Sequence, residues 1–64
     1  MKYSVYIPVL EVRRNLDTDS VCVSDEGTLR CYNRIELKNG NKLDRLVMAF
    51  PPASWTDLRK ENDI

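Results

Sequence analysis

The two glycines of the chain constrain its fold most, because each ends a turn-forming tripeptide between segments that alternate like β-strands. Gly27 ends Asp25-Glu26-Gly27, and Gly40 ends Lys38-Asn39-Gly40. Three-residue hairpin loops commonly hold a glycine in the left-handed conformation at this position. The pattern therefore predicts two consecutive hairpins, with strands over Val21–Ser24, over Thr28–Lys38, and from the second turn to Phe50.

Cross-strand pairing decides the length of the second turn. A two-residue Asn-Gly turn would place Ile35 opposite Asp44. A three-residue loop instead gives one apolar pair and two opposite-charge pairs, each worth roughly 0.2–1 kcal/mol. Those pairs are Ile35–Leu43, Glu36–Lys42 and Arg34–Asp44. The equivalent first loop pairs Val23 with Leu29 and Val21 with Cys31, so we predict the three-residue register in both hairpins.

This register sorts the side chains onto two faces of the sheet. The predicted core face carries Val21, Val23, Leu29, Cys31, Ile35, Leu37, Leu43 and Val47. The opposite face carries Arg30, Tyr32, Arg34, Glu36, Lys42, Asp44, Leu46, Met48 and Phe50. The unbroken apolar run at the end of the last strand indicates cover on both sides, from its own chain or from a partner.

The two ends of the chain complete the predicted fold. Residues from Tyr3 to Arg13 alternate as one strand, with a bulge at Pro8 where the phase slips by one. The polar stretch from Arg13 to Ser20 indicates a loop. Ser54 resembles an N-cap, and Trp55 and Leu58 would share one side of a short helix that ends near Asn62.

Together these elements predict a mainly β protein. It would be one domain over residues 1–64, either a four-stranded antiparallel, strongly twisted sheet or a small, partly open barrel, with one short C-terminal helix. The N-terminus resembles no signal peptide, and no apolar run approaches the ~18 residues that span a bilayer. We therefore expect a cytoplasmic protein.

The residues that usually carry catalysis are scarce. The chain has no histidine, the commonest general base and metal ligand. We expect no enzymatic activity, cofactor or metal.

Cys22 and Cys31 fit no zinc motif, and their predicted register keeps them apart as free thiols, although a four-residue first loop would place them within disulfide reach. Asp17-Thr18-Asp19-Ser20 resembles the start of a calcium loop but lacks its glycine and final glutamate, so backbone hydrogen bonds explain it better.

Two clusters suggest binding. The leading hypothesis is a non-enzymatic protein–protein interaction module with an apolar partner-binding set, Leu46, Met48, Phe50, Trp55 and Leu58. Phage and mobile-element products of this size often inhibit or modulate a host protein or complex, which would be the partner here.

The alternative is a weak single-stranded RNA- or DNA-binding β-barrel module that uses Arg30, Tyr32, Arg34 and Lys42. Ten basic and ten acidic side chains cancel, which disfavours nucleic acid. A structural subunit of a larger assembly or of a homo-oligomer is the third hypothesis.

Overall fold

The structure is a computed structural model that describes residues 2–61, and this part of the chain forms six β-strands. They are β1 (Lys2–Ile7), β2 (Val12–Leu16), β3 (Ser20–Val23), β4 (Leu29–Glu36), β5 (Lys42–Phe50) and β6 (Thr56–Glu61). The strands form two three-stranded antiparallel sheets, ordered β2-β1-β6 and β3-β4-β5, that do not close into a barrel. The mainly β prediction is confirmed, whereas the four strands and the C-terminal helix are wrong. None of the described residues forms a helix of the length and apolarity that crossing a membrane requires.

Both predicted hairpin registers are confirmed in the β3-β4-β5 sheet. Val23 lies opposite Leu29 across the first turn, and Ile35 lies opposite Leu43 across the second. Gly27 has a φ of 96° and Gly40 a φ of 85°, so both occupy the left-handed region. These turns formed as predicted because their loop chemistry and their cross-strand pairs favour the same register.

A bulge in β5 corrects the predicted side-chain faces. Cys31 lies opposite Met48, but the next residue of β4, Tyr32, lies opposite Leu46, which leaves Val47 as the extra residue. Met48 and Phe50 therefore move to the face of the buried Cys31, and Val47 leaves the predicted core face. The sequence concealed this change because residues 46–50 are apolar at every position.

The N-terminal strand is in fact a hairpin. Pro8 begins a tight turn in which the Leu10 N–H donates to the Ile7 carbonyl at 3.2 Å and the Glu11 N–H donates to the Pro8 carbonyl at 3.2 Å. The phase slip that we attributed to a bulge is this turn. The predicted loop from Arg13 to Ser20 is also wrong at its start, since Val12–Leu16 forms an edge strand whose outer face tolerates polar side chains.

The C-terminal segment pairs with the N-terminal one instead of forming a helix. β6 runs antiparallel to β1, with Ser4 opposite Arg59 and Tyr6 opposite Thr56 around a bulge. The Ser54 hydroxyl donates to the Pro51 carbonyl at 2.7 Å in a turn and caps no helix. Pairing satisfies the second edge of β1, which a helix would have left open. The predicted helix end near Asn62 lies outside the described residues.

The core forms where the two sheets face each other. Its buried residues are Val5, Ile7, Leu16, Leu29 and Cys31. Tyr3, Val21, Met48, Phe50, Trp55 and Leu58 pack against them while partly buried. The predicted core face is only partly correct, because Val23, Leu37, Leu43 and Val47 are 39–46% exposed. Leu37 and Leu43 flank the second turn, so the first sheet leaves that end of the β4–β5 hairpin uncovered.

Candidate docking groove

An open groove of about 540 Å³ lies between the first hairpin and the end of β5. The groove is mostly apolar and is lined by Ile7, Val9, Leu10, Val12, Arg13, Arg14, Asn15, Phe50, Pro51 and Ser54. Its position follows from the fold, because β1 and β2 form one wall and the turn that Pro51 begins after β5 forms the other. This volume falls within the range of small binding sites, ~300–1,000 Å³.

The tip of the β1–β2 hairpin is unusually apolar for a surface turn. Val9 is 84% exposed and Leu10 is 66% exposed, and Val12 at the start of β2 is 48% exposed. Surface turns normally carry glycine, proline, asparagine, aspartate and serine. Adjacent exposed apolar residues around a groove are typical of a contact surface.

Arg14 supplies the polar element of the groove. Its guanidinium carbon lies 5.7 Å from the centre of the Phe50 ring, a cation–π arrangement that joins β2 to β5. Within residues 2–61, no carboxylate forms an ion pair with Arg14. The groove therefore presents a positive charge supported by an aromatic face.

Arg13 also lines the groove but binds elsewhere. It donates to the Ser4 Oγ at 2.9 Å and to the Asp57 carbonyl at 3.1 Å, and it forms an ion pair with the Asp57 carboxylate. The fully buried Ser4 hydroxyl in turn donates to Glu61 at 2.8 Å. This network links β2 to β6 across β1, so it has a structural role and leaves Arg14 as the charge available to a ligand.

The predicted partner-binding residues do not share one surface. Met48, Phe50, Trp55 and Leu58 are partly buried against the core, whereas Leu46 is 51% exposed on the opposite side of β5. The Trp55 Nε1 donates to the Gly27 carbonyl at 3.0 Å, which fixes this side chain between the two sheets. Phe50 is the member of this set that reaches the groove.

The alternative, basic set does share one face of the β4–β5 hairpin, but its arginines already have acidic neighbours. Arg30 lies 3.9 Å from Glu26, and Arg34 lies 3.6 Å from Asp44. Tyr32 is partly buried between them, and Lys42 is exposed farther along the hairpin. A nucleic acid would have to compete with both carboxylates for these arginines.

The cysteines lie on opposite faces of β3 and β4, as the predicted register requires. Cys22 lies opposite Arg30 and is exposed, whereas Cys31 lies opposite Val21 and is buried, and both are free thiols. Burial raises the pKa of the Cys31 thiol, and the charge of Arg14 opposes this increase. This environment keeps Cys31 protonated and unreactive.

Of the two aspartates that resemble a calcium loop, Asp19 binds the backbone of β4 and not the local backbone of its own loop. The Asp19 carboxylate accepts a hydrogen bond from the Arg34 N–H at 2.6 Å. Across residues 2–61, no three histidine, cysteine, aspartate or glutamate side chains group as metal ligands would.

Sequence reasoning missed the hairpin tip and the role of Arg14. The signal was the stretch Ile7-Pro8-Val9-Leu10, where a proline and a phase slip coincide. A tight turn explains both observations without a bulge, but its apolar residues favoured the interpretation as a strand. Of the predicted partner-binding residues, Phe50 alone lines the groove.

Comparison with protein-family models, curated proteins and solved structures gave no match to this chain.

Proposed function

We propose that the protein is a small, non-enzymatic interaction module that docks on a host protein through the groove and the β1–β2 hairpin tip. The observation that carries the proposal is the exposure of Val9 and Leu10 beside an open apolar groove. The absence of histidine from the sequence supports a binding role over catalysis.

Burial of the hairpin tip would provide much of the binding free energy. Full burial of a valine or leucine side chain is worth about 1.5–3 kcal/mol. Since most of Val9 and Leu10 is exposed, a partner could gain roughly 1–2 kcal/mol from each. The half-buried Phe50 adds a rigid aromatic surface already held in place by the fold.

Photo-crosslinking from the hairpin tip tests this function. A photoreactive amino acid replaces Leu10 in the chain expressed in its source cells, and a matched variant carries it at Leu37, an exposed leucine on the other hairpin. We expect one protein adduct from position 10, lost when Val9→Lys is added, and none from position 37. Equal labelling at both positions, or an adduct that survives Val9→Lys, would refute the proposal.

The nucleic-acid alternative has a separate test. The double variant Arg30→Ala/Arg34→Ala removes the two arginines of that face. We expect it to retain the crosslink from position 10, and we expect binding to depend weakly on salt. Loss of the partner in this variant, together with a steep salt dependence, would favour the RNA or DNA hypothesis instead.

A further inference from the structure

The strand beside the groove has a free edge. β2 hydrogen-bonds β1 on one side, and no strand within residues 2–61 pairs with its other side. Val12 and Arg14 lie two positions apart on the same face of β2 and both line the groove. An exposed strand edge presents unpaired N–H and C=O groups that another extended chain can bind.

Charge complementarity indicates what this edge accepts. Arg13 and Arg14 are the charged residues that line the groove, and Arg13 is held by Asp57. The Arg14 guanidinium carbon lies 5.7 Å from the centre of the Phe50 ring, and within residues 2–61 no carboxylate pairs with this guanidinium. A guanidinium in an apolar setting favours a carboxylate, which it can bind through two parallel hydrogen bonds.

We propose that the occupant is an extended segment of the partner protein that adds as a strand to the free edge of β2. An acidic side chain of this segment lies opposite Arg14, and a bulky apolar side chain two positions away lies opposite Val12, in the groove. In the antiparallel arrangement the acidic residue comes first, so the segment reads acidic-x-apolar. This inference rests on the proposed function and specifies its partner.

The shape of the groove favours such a segment over a small amphipathic carboxylate. Pockets for small molecules enclose about 70–90% of the ligand surface. This groove is open, and the exposed Val9 and Leu10 extend its apolar surface beyond what a small ligand would cover. A strand added to β2 would cover the groove and also hydrogen-bond the unpaired N–H and C=O groups of the free edge.

Selection from a display library of random short peptides tests the inference. The intact chain is the target, and the Leu10→Lys variant removes peptides that bind elsewhere. We expect the selected peptides to carry an acidic residue two positions before a bulky apolar one. Neutralising that acid to its amide, or the change Arg14→Gln, should each weaken binding about tenfold, and together they should weaken it little further.

The control variant is Arg45→Gln, which removes an exposed arginine outside the groove and should leave affinity unchanged. If the selected peptides lack an acidic residue and Arg14→Gln leaves their affinity unchanged, this inference is overturned but the proposed function stands. Selection of no peptide that depends on Leu10 would overturn both. If dodecanoate binds in the groove and no peptide does, the site belongs to a small carboxylate. If the chain self-associates and Arg14→Gln abolishes this, the site belongs to a second copy. Either result would overturn the inference.

Discussion

Replacing Trp55 with phenylalanine should measurably destabilise the protein, because this side chain connects the two sheets. Trp55 directly precedes β6, and its indole packs partly buried against the core and donates from Nε1 to the Gly27 carbonyl at 3.0 Å. That carbonyl belongs to the turn between β3 and β4. The variant Trp55→Phe keeps an aromatic ring but removes this donor.

The expected magnitude follows from two losses. One hydrogen bond contributes about 0.5–1.5 kcal/mol net to the free energy of unfolding. The smaller phenyl ring buries less apolar surface, which lowers that free energy by about 0.5 kcal/mol. We therefore expect a decrease of about 1–2 kcal/mol in the free energy of unfolding. A domain of this size has only ~3–5 kcal/mol in total. The melting temperature should fall by roughly 4–16 °C, since each kcal/mol shifts it by about 4–8 °C.

Urea and thermal unfolding followed by far-ultraviolet circular dichroism measure this loss, because the variant lacks the single tryptophan as a fluorescence probe. Leu46→Ala is the matched control. Its side chain is 51% exposed, so its cost should stay below about 0.5 kcal/mol. If Trp55→Phe unfolds at the same midpoint as the parent chain, Trp55 does not connect the sheets and the hypothesis that it anchors a partner regains its support.

Four further measurements test the turns, the core and the polar network. Gly40→Ala should cost about 1 kcal/mol in urea unfolding because φ is 85°, and Gly40→Asn should cost less; equal midpoints would show that the turn is wrongly described. Cys22 should react rapidly with a thiol reagent while Cys31 reacts only on unfolding, and equal rates would contradict its burial. Burial raises the pKa of the Cys31 thiol above its ordinary value of 9.0. The stabilisation that comes from keeping this thiol protonated is therefore complete below pH 9.0 and is lost as the pH rises further. Urea unfolding of the parent chain and of Cys31→Ala, from pH 8 upward, measures this loss. Arg13→Ala should lower the free energy of unfolding by on the order of 1 kcal/mol. Arg59→Ala removes the more exposed partner of Asp57 and should lower it by less than half as much. The reverse order in thermal unfolding would refute the role of the network.

The sequence by itself determined the two hairpins of the β3-β4-β5 sheet. Each register is set within a few residues of its turn, by a glycine that accepts positive φ and by the pairs that follow it, such as Ile35 with Leu43. The opposite faces of Cys22 and Cys31 follow from the same local rule. Local turn chemistry and cross-strand pairs agree here, so distant residues were not needed to choose the register.

Only the tertiary structure decided the other sheet and the groove. β6 forms a strand because β1, whose paired residues lie 50–59 positions earlier in the sequence, offers it an edge, and the ladder outweighs the weak helix signal at Ser54. Val47 became a bulge because packing against the first sheet selects Met48 and Phe50 from an apolar run that has no phase of its own. The groove joins β2 to the end of β5, so no local pattern could show that Arg14 lies over Phe50. Contacts between distant segments depend on how both sheets bury their apolar faces together, and that condition belongs to the folded chain.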